Sequence, residues 1–352
     1  MFAEYRRRQL ELEENPVEFL GRRLPELLAE ARGQLADHVG ADSHDIVLVP
    51  NATSALNVVA RSIDLEPGDE VLATDHEYGA ADLLWELVCK RAGAEYVRVA
   101  VPVPVRSQEE AADTVWSGVT DRTRVLFVSH VSSPTALVFP VAELCRRARA
   151  AGIVSVVDGA HGPGHLAVDL ASLGADVYAG NCHKWLCAPK GAGFLWVRPE
   201  LHERVDSLVV GWGWAEEDAS FVQRGEGQGT RDPAAYLAVP AAIDFLAEHG
   251  WDDVRSRCHE LCSEVRTRLA SLTGLEPIQP DSADWFGQMV AALLPDECDA
   301  QSLGPRLARE YGIEVYAKEW NGRPVIRVSV QGYNTSADLD RLLETLPTLL
   351  PT

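Results

Sequence analysis

Positive charge is scarce in this sequence: 32 lysines and arginines stand against 53 aspartates and glutamates, for a formal net charge of −21. Nucleic-acid backbones and anionic membrane surfaces are held by clustered cations, so neither is expected as a partner. Long apolar runs are missing too. No stretch reaches the roughly 18 residues that cross a bilayer, and the opening MFAEYRRRQLELEENP lacks the apolar segment of a signal peptide. A cytoplasmic protein is the expectation. Cysteines number seven in 352 residues, an odd and scattered set that reads as reduced thiols rather than a disulfide framework. None has metal-ligand spacing; Cys258 and Cys262 lie four apart on a helical pattern, with His259 between them, and read as core thiols. Internal repeats and low-complexity tracts are also absent.

What is present suits a large globular domain and a smaller one. Leu20, Leu24, Leu27, Leu28, Ala31, Leu35 and Val39 recur at helical spacing, which predicts an amphipathic helix from about Val17 to Val39. From Asp45 to Val197, short apolar runs (IVLVP, DEVLAT, EYVRVAV, RVLFVSHVS, IVSVVDGAH, ADVYAGN, GAGFLWV) alternate with helical patterns. This rhythm predicts an α/β fold with a mainly parallel sheet of seven strands covered by helices, two of its strands close enough to pair antiparallel. Ligands in such sheets sit beyond the carboxyl ends of the strands; Asn51, His76, Ser129, Asp158 and His183 fall there. The Gly- and Trp-rich stretch VVGWGWAEEDASFVQRGEGQGTRDP reads as a long loop. Beyond it, MVAALLP, a helix near Gln301 to Tyr311, IEVYAKE, PVIRVSV and a helix from Ser336 form a smaller α+β unit. The expected division is 1–20, packing with the small domain, 21–235 for the large domain, and 236–352 for the small one.

Chemistry concentrates in AGNCHKWLCAPKGAGFL. Lys184 there follows a histidine and precedes a tryptophan; a lysine lodged near other cations in a partly buried place loses its proton and can form an imine. By itself Lys184 could equally be a surface lysine. Asp158, in DGAH after the run IVSVV, lies 26 residues earlier (184 − 158). A carboxylate at a strand end can pair with a cofactor's protonated ring nitrogen, or merely cap a turn. In NATSALN a strand ends at Asn51 and a helix begins near Thr53, where backbone N–H groups and hydroxyls suit a phosphate ester.

The ordered series NATSALN, TDHEYGA, HVSSPTAL, VVDGAH, GNCHKW, GQGTRD and VIRVSVQGYNT resembles the fold type I pyridoxal-phosphate (PLP) enzymes of class V, the aminotransferases and cysteine desulfurases, and within them the isopenicillin N epimerase-like branch. The resemblance spans nearly the whole chain. It implies that Lys184 carries PLP as a Schiff base, that Asp158 pairs with the pyridine nitrogen, and that Tyr78 stacks on the ring. It further implies His161 and Ser133 near the phenolic oxygen, and Ala52, Thr53, Asn181 and His183 around the phosphate. Thr230 matches a residue reaching the neighbouring subunit's cofactor, so a homodimer with shared sites is implied, and Arg327 matches the arginine that grips a substrate carboxylate. Outside this series Tyr78, His161 and Arg327 would read as a core aromatic, a structural imidazole and a surface ion pair.

PLP acidifies the Cα of an amino acid, and a released Lys184 can serve as base, a chemistry shared by epimerisation, β-elimination and transamination. Cysteine desulfurases carry a nucleophilic cysteine shortly before the matching arginine; here IEVYAKEWNGRPVIR has none. Cys182 and Cys187 flank Lys184 and read as packing residues. An epimerase returns the proton to the opposite face, for which Tyr78 is a candidate acid. The branch resemblance therefore points to an amino-acid epimerase, with a β-eliminating C–S lyase or a class V aminotransferase as alternatives. Intact Lys184, Asp158 and Arg327 speak against an inactive scaffold. Members of the branch carry a further N-terminal segment reaching over the site, ahead of the helix matching Glu4 to Glu14. The resemblance then implies either a truncated start or a more open pocket, which the loop with Trp212 and Trp214 would cover.

Overall fold

The computed structural model describes residues 1–351. Ten strands run in chain order: β1 (Ile46–Val49), β2 (Glu70–Thr74), β3 (Glu95–Val99), β4 (Thr123–Ser129), β5 (Val154–Gly159), β6 (Val177–Asn181), β7 (Gly193–Val197), β8 (Met289–Leu293), β9 (Tyr316–Trp320) and β10 (Arg323–Ser329). The first seven form one sheet in the order β1-β7-β6-β5-β4-β2-β3. Pairing is parallel from β6 through β3, while β7 runs antiparallel to both β6 and β1. Burial on both faces explains why these segments, apart from the exposed edge strand β3, are nearly continuous apolar runs. Side chains still alternate: Ile46, Leu48, Leu72, Leu126, Val128 and Val157 join one core cluster, and Val47, Val49, Val71, Ala73, Val125, Phe127 and Val156 the other. Each such side chain contributes about 1.5–3 kcal/mol relative to exposure.

The predicted helix from Val17 to Val39 is interrupted. A short turn at Pro16–Glu18 leads through a π-helical segment, Phe19–Arg23, into Leu24–Val39. Pro25 has no N–H to donate back one turn, which fits the loosened winding before it. Leu12, Phe19, Ala31 and Leu237 form a small cluster that seats the N-terminal helix Phe2–Glu14. Two helices escaped the sequence reading. Gln108–Trp116 is capped by Ser107 and packs Ala111, Ala112 and Val115, small residues with a faint signal. Within the supposed Gly/Trp loop, Phe221–Glu226 is a helix whose capping box pairs Ser220 with Gln223.

The C-terminal region holds an antiparallel sheet in the order β8-β10-β9, so β8, the helix Ala300–Tyr311 and β9 are a split crossover with β10 inserted between its strands. Among the described residues no helix is long and apolar enough to cross a membrane.

Candidate functional site

Where the parallel strands end, Asn51, Ala52, Thr53, Tyr78, Ser129, Val131, Ser133, Asp158, Ala160, His161, Asn181, His183 and Lys184 surround a cavity of about 230 Å³. Nine of the ten residues matched to cofactor contacts thus share one wall. A larger cavity of about 690 Å³, between Pro163–Val168 and the Ile243–Arg255 region, contains none of them; convergent chemistry, not size, selects the smaller.

Helix Ala52–Ser62 opens at one end of this cavity. Asn51 caps it, its Oδ1 accepting the Ser54 N–H at 2.8 Å, and Asn181 Oδ1 takes the Ala52 N–H at 2.8 Å. The Ala55 N–H returns to the Asn51 carbonyl. Among the described residues, Thr53 alone in this first turn keeps both its N–H and its hydroxyl without a protein partner. Those donors, with the positive end of the helix, could receive an anion such as a phosphate. The Ala52 amide, expected to share the task, is spent on Asn181. His183 Nδ1 donates to the Ala192 carbonyl at 2.8 Å, leaving Nε2 as the ring's acceptor.

Asp158 closes β5, where Oδ1 accepts the Ala160 N–H at 2.9 Å and Oδ2 has no protein partner. Burial pushes this carboxyl up against the downward pull of the Ala160 N–H and the Lys184 charge. A buried carboxyl in this condition could be completed by a cation or by a proton. The glycine after it has a steric reason: a Cβ on Gly159 would stand 2.0 Å from the Tyr178 ring.

Lys184 opens to solvent through the cavity yet is walled by protein, and desolvation lowers its pKa, Asp158 opposing and the Arg327 charge assisting. Its Nζ lies 3.0 Å from His161 Nε2, while the Trp185 indole N–H donates to His161 Nδ1 at 3.0 Å. Burial, with Lys184 and Arg327 nearby, drives His161 well below the ordinary histidine range.

Arg327, on β10, reaches the rim. Its Nη1 donates to the Ser133 carbonyl and, at 3.3 Å, to Ser133 Oγ; its guanidinium lies 4.5 Å from the Tyr316 ring centroid. Its Nε–H is buried without a partner. Tyr78, 46% exposed, precedes the helix Gly79–Ala92. Arg327 is itself outside the cavity wall, which it meets through Ser133, and two further expected residues are elsewhere. Thr230 is exposed and outside the cavity wall within one chain. His76 does not face the crevice at all: it is fully buried, held by Thr135 Oγ1 and the Val101 carbonyl and packed beside Phe139 and Trp320.

Three residues without an assigned part emerge. Glu77, buried behind Tyr78, accepts from Thr74 Oγ1 and Ser129 Oγ, both at 2.6 Å, and burial pushes it up to about 8. Tyr316 supports Arg327 from β9. Trp185 grips His161. Glu77 and Trp185 stand inside quoted motifs, and their polar character beside Tyr78 and Lys184 was the available signal.

The sequence matches the family model Aminotransferase class-V over residues 5–342. The chain belongs to the class V aminotransferase family. As a member it is a PLP-dependent enzyme. It is 39% identical to an isopenicillin N epimerase of Streptomyces clavuligerus, over 95% of this chain and 87% of that protein. A probable chloroplastic L-cysteine desulfhydrase of Arabidopsis thaliana is 30% identical, over 96% and 77%. Among solved structures, the cysteine desulfurase CsdA of Escherichia coli superposes with a TM-score of 0.78 at 26% identity, covering 93% of this chain and 84% of that one.

Proposed function

We propose that this class V enzyme is an amino-acid epimerase of the isopenicillin N epimerase type, with Lys184, Asp158 and Arg327 as its working centre. The residues fit the cofactor: free Thr53 donors suit a phosphate, the unpaired Asp158 Oδ2 suits a ring cation, and Lys184, its pKa lowered by burial, suits an aldehyde. Bound there, PLP supplies the electron sink that makes a substrate Cα–H acidic.

The chain's own residues supply the rest. The Arg327 guanidinium, with Nη1 steadied by Ser133 at the cavity wall, receives the α-carboxylate. Lys184 takes or returns the proton on its face of Cα. Tyr78, at the cavity wall and open to solvent, is the candidate acid for the other face. His161 holds the Lys184 amine in place.

One observation narrows the reaction: no cysteine lines the cavity, and the segment before Arg327 is a β-hairpin turning at Asn321–Gly322, without a thiol to collect sulfur, which speaks against a persulfide-forming desulfurase. The greater identity to the epimerase supports epimerisation over elimination, while likeness to the desulfhydrase keeps a C–S lyase as second reading. We place a homodimer alongside the proposal, with Thr230 serving the partner's site. The test is a panel of L-amino acids, cysteine conjugates included, incubated with PLP-loaded protein in deuterated water. Deuterium at Cα with accumulating D-isomer supports the epimerase; pyruvate and ammonia from a sulfur-substituted substrate overturn it in favour of the lyase.

A further inference from the structure

Trp185 touches His161 rather than the cavity, and the chemistry of its one polar atom restricts what His161 can be. An indole N–H only donates, so the nitrogen it meets at 3.0 Å, His161 Nδ1, is bare. A neutral imidazole then carries its proton on Nε2, and Nε2 faces Lys184 Nζ at 3.0 Å. An N–H on that side needs an acceptor. An ammonium has none; an amine has one lone pair. Turning the ring over would put carbon atoms against both Trp185 and Lys184, so the pair of contacts also fixes its orientation.

The indole itself is held. His165 lies against it with ring centroids 4.6 Å apart. That second histidine has its own tautomer fixed by neighbours: the Gln288 N–H donates to its Nε2, and its Nδ1 donates to the His161 carbonyl at 3.1 Å. A Cβ on Gly164 would stand 2.4 Å from the Trp185 carbonyl carbon, so the loop carrying His161 and His165 lies directly on the lysine's own loop.

We propose that Trp185 is a positioning residue that locks His161 as the Nε2–H tautomer and thereby stores Lys184 as a free amine, ready for the cofactor aldehyde. The charged and titratable groups facing the pair are Asp158, Arg327, His165 and, beside Lys184, His183. Asp158 favours the ammonium, Arg327 disfavours it, and a neutral His165 contributes no charge; the indole contact is what removes the alternative of Lys184 donating to His161. This inference rests on Lys184 being the cofactor lysine, but its decisive measurement does not.

Long-range ¹H–¹⁵N correlation spectra of the apoprotein, with His161 assigned by a His161→Gln variant, report the tautomer directly. The wild type is expected to show a bare Nδ1 and a protonated Nε2 at pH 7. Trp185→Phe is expected to release the ring to a mixture or to the Nδ1–H form. In parallel, the rate of absorbance growth when PLP is mixed with apoprotein is measured against pH. In Trp185→Phe the rising limb of that profile should move to higher pH, with about a tenfold slower reaction at neutral pH for each unit moved. A loss of stability alone would move neither the tautomer nor the profile. A wild-type His161 that is Nδ1-protonated or doubly protonated overturns the proposal without any variant; so does an unchanged tautomer in Trp185→Phe. Retained tautomer behaviour with no PLP capture at Lys184 would instead sink the cofactor-lysine assignment and leave the lock standing.

Discussion

Replacing Arg327 by alanine isolates the grip on substrate. In the resting protein the guanidinium is tied to Ser133 and laid on Tyr316, which hold it in place beside the cavity wall. An arriving carboxylate would therefore gain charge-assisted hydrogen bonds from a group already positioned and partly desolvated. Two such bonds at about 1.5 kcal/mol each amount to about 3 kcal/mol, and at roughly 1.4 kcal/mol per tenfold that is about a hundredfold in kcat/KM. Because the carboxylate is held alike before and during proton removal, the loss should fall on KM, with kcat changed only a few-fold. The assay compares wild type and Arg327→Ala on the preferred amino acid and on its decarboxylated amine, with both parameters resolved. The amine should be indifferent to the substitution. An unchanged KM for the amino acid, or an equal loss on both compounds, would refute the reasoning and remove Arg327 from substrate contact.

Lys184→Ala should abolish the absorbance above about 400 nm that lysine-bound PLP gives, checked on purified protein after dialysis; retention would place the covalent link elsewhere. Glu77, raised to about 8 in the folded chain against an ordinary 4.5, keeps a proton that the unfolded chain releases, so its contribution to stability falls as pH rises from about 4.5 to about 8, by up to about 1.4 kcal/mol per pH unit. Glu77→Gln should flatten that decline, read from urea midpoints at pH 5.5 and 8; parallel slopes in both proteins would show that Glu77 is ionised when folded. Gly193→Ala should weaken PLP affinity several-fold in an equilibrium titration, because its Cβ would lie 2.8 Å from Asn51 Cα and push the helix cap out of register; unaltered affinity would mean the phosphate donors do not depend on that cap.

Much of this arrangement could be read from residue patterns because its causes are local. Strands buried on both faces must be apolar on both, so the runs other than the exposed edge strand β3 announced themselves, and polar residues at their ends named Asn51, Asp158 and His183. What escaped depended on partners far along the chain. His76 follows a strand like the others, yet Phe139 and Trp320 enclose it. The Ala52 amide is claimed by Asn181, across a gap of 129 residues. Trp185 and Glu77 lie within the legible motifs, but their function is a direction of hydrogen bonding, which spacing does not encode. The Phe221–Glu226 helix was legible and overlooked: Ser220 and Gln223 have capping-box spacing beneath a glycine-rich surface.

The antiparallel seating of β7 bears on how the enzyme comes into being. β1 touches no other strand of its sheet, and its register joins Ile46 to Trp196, 150 positions later (196 − 46). Closing so long a loop precedes any reward from the contact, which makes this pairing a late step. During synthesis, Asn51 and Thr53 emerge early but wait for Gly193–Val197 before the anion-binding turn has a neighbour to rest on. A complete anion-binding turn accordingly waits for the pairing of β1 with β7.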